Sequence, residues 1–139
     1  MIPSFDIKDK VFAITGGAGI LCSEMARELA LAGAKVAVLD LAGDKASALA
    51  AEIRDAGGVA TGFACNVLEK ESVTAARDAV LAEFGRVDCL INGAGGNHPR
   101  ATANKDMSFL DIPEEAMQFV VNLNFIITYK TSQYCSVCF

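Results

Sequence analysis

The sequence lacks the features that mark membrane proteins and nucleic-acid-binding proteins. No apolar run approaches the ~20 residues that a helix needs to span a bilayer. The 12 basic and 17 acidic residues give a net charge of −5, and they form no run of one sign. We therefore expect no basic surface that would bind nucleic acid or an anionic membrane. The expected partners are small molecules or other protein surfaces.

The chain also lacks the signature of a secreted, disulfide-bonded protein. Residues 1–10 carry charges where a signal peptide would have its apolar stretch, which predicts a cytoplasmic protein. The cysteines are odd in number, and three of them lie in apolar stretches that predict buried, reduced thiols: Cys22, Cys65, Cys89, Cys135 and Cys138. Cys135 and Cys138 form a C-x-x-C, but without a second pair it predicts no zinc or other metal site.

What the sequence contains is an alternation of short strands and longer helices. With 139 residues, of which 53% are hydrophobic, a single domain over 1–139 is predicted. The predicted strands are Val11–Thr15, Val36–Leu39, Val59–Ala64 and Val87–Ile91. The predicted helices are Ile20–Ala32, a segment carrying Ala46, Leu49, Ala50 and Ile53 on one face, and Lys70–Phe84. This βαβ rhythm predicts a parallel sheet, and right-handed crossovers favour the strand order 3-2-1-4.

The rhythm changes after the fourth predicted strand. Gly93–Ser108 is rich in Gly, Asn, Pro and Lys, and it predicts a long loop of the kind that is functional or mobile. A last helix is predicted to start near Pro113, with Asp111 as its N-cap and Glu114 closing a capping-box-like pair.

A glycine-rich turn follows the first strand directly. Residues 15–19 read Thr-Gly-Gly-Ala-Gly and open onto a helix, where bare backbone and free N–H groups suit a pyrophosphate. Asp40 ends the second strand, 24 residues after Gly16, close to the ~20-residue interval to a ribose-binding acid. A carboxylate there repels a 2′-phosphate, so NAD is predicted rather than NADP. A plain βα turn and a solvated aspartate are the alternatives.

A third segment, Asn92-Gly93-Ala94-Gly95, follows the fourth strand. Together the three segments resemble the short-chain dehydrogenase/reductase family, over a stretch from about Phe5 to Asn124. Residues 15–22 and 92–99 are most similar to its sugar-acid branch, typified by D-mannonate oxidoreductase. The resemblance implies a Rossmann-type, doubly wound parallel sheet, here cut short after about four strands. One departure is that Ile20 and Cys22 occupy two glycine places of the family turn, unless one residue of the turn is deleted.

The resemblance also implies which residues bind the nicotinamide dinucleotide. Asn66 stands where the family has an acid beside the adenine, and its carbonyl oxygen can still accept a hydrogen bond. The implied cofactor-binding residues are Thr15, Gly16, Gly17, Ala18, Gly19, Ile20, Asp40, Asn66, Val67, Asn92, Gly93, Ala94 and Gly95. The family's catalytic asparagine matches Asn124 best, with Asn122 as the close alternative; either is equally readable as a helix residue bonded to nearby backbone.

The family's tyrosine and lysine, four residues apart, are missing. Tyr129 is followed four residues later by Gln133, and Tyr134 by Cys138, so neither tyrosine has the lysine that would lower its pKa. The tail from Ile126 to Phe139 is polar where apolar helix residues are expected, and it is read as divergent. His98, in the loop, either contacts an acidic substrate or has no chemical role.

Two functions therefore remain open, with a third that is weaker. The first is an oxidoreductase, acting on a hydroxyl or keto group of a small molecule, whose catalytic half is missing from this chain. The second is a noncatalytic dinucleotide-binding or interaction fragment, and a methyltransferase is the third. The fourth strand has no predicted fifth neighbour, so its exposed edge predicts a homo-oligomer and a marginally stable monomer.

Overall fold

The sheet has the predicted strand order. A computed structural model describes residues 6–136, and within that range its strands are all parallel and follow the order β3-β2-β1-β4. The strands are β1 (Val11–Thr15), β2 (Lys35–Asp40), β3 (Val59–Ala64) and β4 (Cys89–Asn92). The fourth strand starts at Cys89 and not at the predicted Val87. Cys89 is the first residue of β4 that pairs with β1, opposite Phe12, and β1 begins only one residue before Phe12.

Helices cover both faces of the sheet, which confirms the doubly wound architecture. They are α1 (Ile20–Leu31), α2 (Gly43–Asp55) and α3 (Lys70–Phe84). On one face α1 and α2 bury small and branched side chains against the sheet, among them the predicted Ala46, Leu49, Ala50 and Ile53. On the other face α3 buries Val73, Ala76 and Val80. The apolar stripes at helical spacing therefore point where the sequence predicts.

Strand β4 lies at the edge of the sheet. It pairs with β1 on one side, and no strand within residues 6–136 pairs with its other side. All four of its residues are half-buried, whereas β1 and β2 in the centre are mostly buried. The apolar sequence of β4 predicts burial on both faces of the sheet. Its residues are less buried than that because β4 lies at the edge.

The segment between β4 and the last helix contains more structure than the predicted loop. Single 3-10 turns form at Pro99–Ala101 and Phe109–Asp111, and Asn104 and Met107 make an antiparallel bridge. The predicted N-cap at Asp111 is wrong, because Asp111 ends a 3-10 turn that Ser108 caps through its hydroxyl. Pro113 is the N-cap, since its fixed φ of −71° with extended ψ leads into a helix from Glu114.

The last helix is continuous but changes its winding in the middle. It consists of α4 (Glu114–Val121), one π-helical turn (Asn122–Ile126) and α5 (Ile127–Cys135). The polar tail is thus helical through Cys135, while Val137–Phe139 lie outside the described residues. No helix in the described range has the length and apolar character required to cross a bilayer.

One buried polar contact explains the position of Thr131, whereas Lys130, Ser132 and Gln133 in the same tail are exposed. Thr131 is 1% exposed, and its hydroxyl contacts the side-chain oxygen of Asn92 and lies 2.8 Å from the carbonyl oxygen of Ile127. The Asn92 amide donates to the Ser132 hydroxyl at 3.0 Å. These bonds give the buried Thr131 hydroxyl its partners and fasten α5 to the end of β4.

Replacing Thr131 with valine tests this attachment. The Thr131→Val variant keeps the shape but removes the hydroxyl, which leaves the Asn92 oxygen without its donor. We expect the free energy of unfolding to fall by about 1–3 kcal/mol, measured by urea denaturation. Thr128→Val, at an exposed position of the same helix, is the matched control and is expected to change little. Equal losses in the two variants would contradict the attachment.

Candidate functional site

A cleft of about 370 Å³ opens at the carboxyl ends of the strands, where open parallel sheets bind their ligands. Eight of the predicted cofactor residues line it: Gly16, Gly19, Asp40, Asn66, Val67, Gly93, Ala94 and Gly95. Five further lining residues were not predicted: Leu41, Cys65, Leu68, Phe119 and Leu123. Of these, Phe119 and Leu123 carried a usable signal, because their four-residue spacing places them on one face of the last predicted helix.

The glycine turn and the loop after β4 touch each other at the floor of the cleft. Gly16 has a φ of +62°, and a Cβ added there would lie 2.8 Å from the Cα of Ala94, so only glycine fits. The hydroxyl of buried Thr15 accepts the Ala94 N–H at 3.2 Å. Gly17 donates its N–H to the carbonyl of Leu39 at 2.9 Å, which ties the turn to β2. Thr15 and Gly17 thus support the site without lining it.

The first turn of α1 begins at the cleft. Gly19 is its N-cap with extended backbone, and the N–H groups of the first turn, from Ile20 onward, have no acceptor within the helix. Cys22 lies behind this turn, with its sulfur where a Cβ on Gly93 would have to be. Burial, with a smaller effect of the Asp40 charge, raises the pKa of the Cys22 thiol, so it stays protonated at neutral pH.

Asp40 lies at the end of β2 and holds two backbone groups. Its carboxylate accepts the Ala18 N–H and the Ala42 N–H, each at 3.0 Å. A carboxylate offers about four lone-pair positions, so it retains capacity for further donors. The negative charge therefore sits beside the glycine turn, as the sequence predicts, and it also holds Ala18 in place.

The far end of the cleft is formed by the segment after β3. The side-chain oxygen of Asn66 accepts the Leu68 N–H at 3.1 Å, and its amide donates to Glu69 at 2.9 Å. The neighbouring Cys65 is buried, and this burial, with smaller effects from Cys135 and Asp40, raises the pKa of its thiol to about 11. Cys65 is therefore a packing residue and not a nucleophile.

The two candidate asparagines of the last helix take different positions. Asn124 pairs with the Gly96 peptide: its oxygen accepts the Gly96 N–H at 3.0 Å, and its amide donates to the Gly96 carbonyl at 2.7 Å. The same amide donates to the Val120 carbonyl at 2.8 Å. Asn122 instead lies in a shallow groove beside Met117 and Val121 that shares no lining residue with the cleft. The structure thus places Asn124 against the Gly95–Gly96 end of the loop that borders the cleft, without lining the cleft itself, and places Asn122 away from it.

The two tyrosines and the single histidine, Tyr129, Tyr134 and His98, do not line the cleft. Tyr129 is exposed, and Tyr134 packs toward α3 with the Lys70 ammonium 5.6 Å from its ring centre. His98 accepts the Arg100 N–H through Nδ1 at 3.1 Å, and its ring meets that of Phe119 edge to face at 5.2 Å. No group of three or more potential metal ligands occurs in the described range.

Two asparagine variants test the assignment of Asn124. In Asn124→Asp the carboxylate cannot donate, and it places negative charge against the Gly96 and Val120 carbonyls. We expect the free energy of unfolding to fall by about 1–2 kcal/mol at neutral pH, measured by urea denaturation. Asn122→Asp is the matched control in the same π turn and is expected to lose less than half as much. The opposite ranking would show that the Gly96 pairing does not persist in solution.

Known proteins share both the sequence and the shape of this chain. It is 44% identical to the uncharacterized oxidoreductase UxuB of Bacillus subtilis, across 96% of this chain and 51% of the relative. A provisionally assigned D-mannonate oxidoreductase from Haemophilus influenzae, solved with bound NAD, has 35% identity and a TM-score of 0.88, across 96% of this chain and 51% of that one. An NADPH-dependent 3-quinuclidinone reductase from Rhodotorula rubra also has 35% identity, with a TM-score of 0.82, across 97% of this chain and 49% of that one.

The chain therefore spans about half the length of these relatives. The family model described as short chain dehydrogenase matches residues 10–138. This match runs past Asn124, so the resemblance extends further than the sequence predicts, through the helix that Thr131 and Asn92 hold in place. With the sheet order, the cleft and the family match in agreement, the chain belongs to the short chain dehydrogenase family.

Proposed function

We propose that this chain binds NAD in its cleft and forms the nucleotide-binding part of an oxidoreductase. The observation that carries the proposal is the convergence of three elements on one cleft: the Gly16 turn, Asp40, and the loop that starts at Gly93. Their backbone approach leaves no room for side chains, and this bare surface suits a pyrophosphate. A relative of the same shape was solved with NAD.

Each part of the cleft fits one part of the dinucleotide. The N–H groups at the start of α1, beginning with that of Ile20, suit the pyrophosphate. Asp40 would accept hydrogen bonds from the adenosine ribose, and Asn66 and Val67 would flank the adenine. The loop from Asn92 to Gly95 would border the nicotinamide, which accepts or donates a hydride when bound.

The position of Asp40 favours NAD over NADP. A 2′-phosphate on the ribose would bring further negative charge to a carboxylate that already holds Ala18 and Ala42. Among the relatives, one was solved with NAD and one is NADPH-dependent. Family membership therefore does not select between NAD and NADP. The proposal rests on the negative charge of Asp40 beside the expected ribose position.

Titration calorimetry with both dinucleotides tests this choice. The unmodified chain is expected to bind NAD more tightly than NADP. In Asp40→Ala the two affinities are expected to converge, while both weaken because the Ala18 N–H loses its acceptor. Asp44→Ala, at an exposed position in the first turn of α2, is the control and should keep the ratio of the unmodified chain. Equal affinities, or an NADP preference, in the unmodified chain would remove Asp40 from this role.

The proposed substrate is a hydroxyl or keto compound, with a sugar acid as the leading class. This follows from the similarity to the D-mannonate oxidoreductase-like structure and from the loop that carries His98 beside Phe119 at the cleft. Asn124 is proposed as the site residue that holds the loop through Gly96. We further propose a cytoplasmic protein, in keeping with its reduced, buried thiols at Cys22 and Cys65.

This chain by itself is expected to show no NAD-dependent turnover of sugar acids. Neither tyrosine has a lysine four residues later, and general acid–base assistance contributes about 10²–10⁴-fold. Absorbance of NADH during incubation with sugar acids such as D-mannonate is the measurement. Calorimetric binding of NAD by the same preparation is the control that separates a folded, inactive chain from a misfolded one. Measurable turnover would contradict the expectation.

A noncatalytic dinucleotide-binding module is the second candidate function. One specific observation favours it: the Asn124 amide is fully engaged with Gly96 and Val120, so it is positioned to hold backbone and not to meet a substrate. NAD binding without turnover by the chain, even when the remaining half of a longer relative is supplied, would select this function over the oxidoreductase.

A further inference from the structure

One residue connects the two ends of the candidate cofactor site. Cys22 is the third residue of α1, and it is 7% exposed. The first backbone bond of this helix runs from the Ser23 N–H to the Gly19 carbonyl at 2.8 Å. The Cys22 N–H therefore belongs to the first turn, which has no acceptor within the helix. The main chain of Cys22 lies where the pyrophosphate is proposed to bind, while its side chain packs against the loop that starts at Gly93.

The sulfur of Cys22 packs directly on the backbone of Gly93. A Cβ added to Gly93 would lie 2.2 Å from this sulfur and 2.7 Å from the Thr15 carbonyl oxygen. Both distances are well below that of an ordinary van der Waals contact, so the position accepts no side chain. The Cys22 sulfur therefore sets how closely the loop can approach α1.

Two other contacts hold the same loop at later residues. The Thr15 hydroxyl accepts the Ala94 N–H at 3.2 Å, and Asn124 pairs with the Gly96 peptide. The first of these contacts comes from β1 and the second from the last helix. Of the three, the contact with Cys22 connects the loop to α1, the helix whose first turn is proposed to bind the pyrophosphate.

Cys22 acts on the loop by its volume. Its thiol lies in the same apolar cluster as Ile14, Ala26 and Val38, and burial raises the pKa of the thiol, so it is neutral at pH 7. A neutral, buried thiol behaves as a small hydrophobic group. Removing the sulfur therefore opens a void beneath Gly93, into which the loop can move, and it changes no charge at the cleft.

We propose that Cys22 is a positioning residue for the nicotinamide end of the site: its sulfur holds the loop that starts at Gly93, and the loop in turn borders the nicotinamide. This role rests on the proposed binding of NAD, and it concerns one end of the ligand only. ADP-ribose has the adenosine and the pyrophosphate of NAD but lacks the nicotinamide. The affinity for ADP-ribose should therefore depend little on Cys22, whereas the affinity for NAD should depend on it.

Titration calorimetry with NAD and with ADP-ribose tests this role. In Cys22→Ala the affinity for NAD is expected to fall at least about threefold more than the affinity for ADP-ribose, a modest coupling for residues in contact. Cys22→Ser, whose hydroxyl is smaller than the sulfur, should fall between Cys22→Ala and the unmodified chain. Cys89→Ala is the matched control, because Cys89 is half-buried at the start of β4, away from the cleft, and should change neither affinity. Thermal melts confirm that the variants are folded.

A double-mutant cycle tests the contact itself without any ligand. Gly93→Ala places a methyl group against both the Cys22 sulfur and the Thr15 carbonyl oxygen, whereas in the Cys22→Ala background only the carbonyl oxygen obstructs it. We therefore expect Gly93→Ala to lower the urea midpoint less in Cys22→Ala than in the unmodified chain. Equal losses in the two backgrounds would overturn the proposal, because the sulfur would then not support Gly93.

The binding measurements separate a failure of this role from a failure of the proposed function. If the unmodified chain binds NAD and Cys22→Ala keeps the ratio of the NAD and ADP-ribose affinities, the role of Cys22 is overturned and NAD binding stands. Equal weakening of both ligands would have the same meaning, because it would show that Cys22 only supports the fold. An unmodified chain that binds neither ligand would contradict the proposed function, and this role with it.

Discussion

The site depends on one close approach, between Gly16 at the end of β1 and the peptide at Ala94 after β4. A Cβ on Gly16 would lie 2.8 Å from the Ala94 Cα, and the Ala94 N–H is held by the Thr15 hydroxyl. The same crowding recurs one residue away, where Gly93 packs on the Cys22 sulfur. Because backbone packs on backbone here, the ends of β1 and β4 form the floor of the cleft, and Asp40 and Asn66 line its sides.

The features of the fold that depend on residues close in sequence could be predicted, and those that depend on contacts between distant residues could not. Apolar stripes and glycine breaks placed the strands and helices to within about two residues, because burial against a sheet follows the local period. The N-cap at Asp111 failed, since Ser108, Asp111 and Pro113 offer competing caps over six residues and only the tertiary position of the helix decides among them. The sequence offered no reason for the polar Thr131 in the tail, because its partner is Asn92, 39 residues away.

The candidate site shows the same difference between features set by nearby residues and features set by distant contacts. Residue type and position predict the glycine turn and Asp40 as site residues, and the structure places Gly16, Gly19 and Asp40 in the lining of one cleft. The amides were harder to interpret. The sequence predicts Asn66 and Asn92 as cofactor-binding residues, and Asn124 either as the catalytic asparagine or as a helix residue bonded to nearby backbone. In the structure each makes side-chain hydrogen bonds with protein groups: Asn66 with Leu68 and Glu69, Asn92 with Thr131 and Ser132, Asn124 with Gly96 and Val120. An amide can both donate and accept, so the sequence alone does not reveal which partner it takes.

The π turn joins these observations, because its additional residue acts on both sides of the helix. On the inner side it presents Asn124 to Gly96 while the same amide still reaches the Val120 carbonyl, four residues earlier. On the outer side Val121 and Phe125, before and within the π turn, are both exposed. A regular α-helix would rotate one of these two faces away from its present position. Single π turns are uncommon and concentrate at functional sites, and here the constraint on the cleft and the constraint on the exposed face are met by one departure from regular winding.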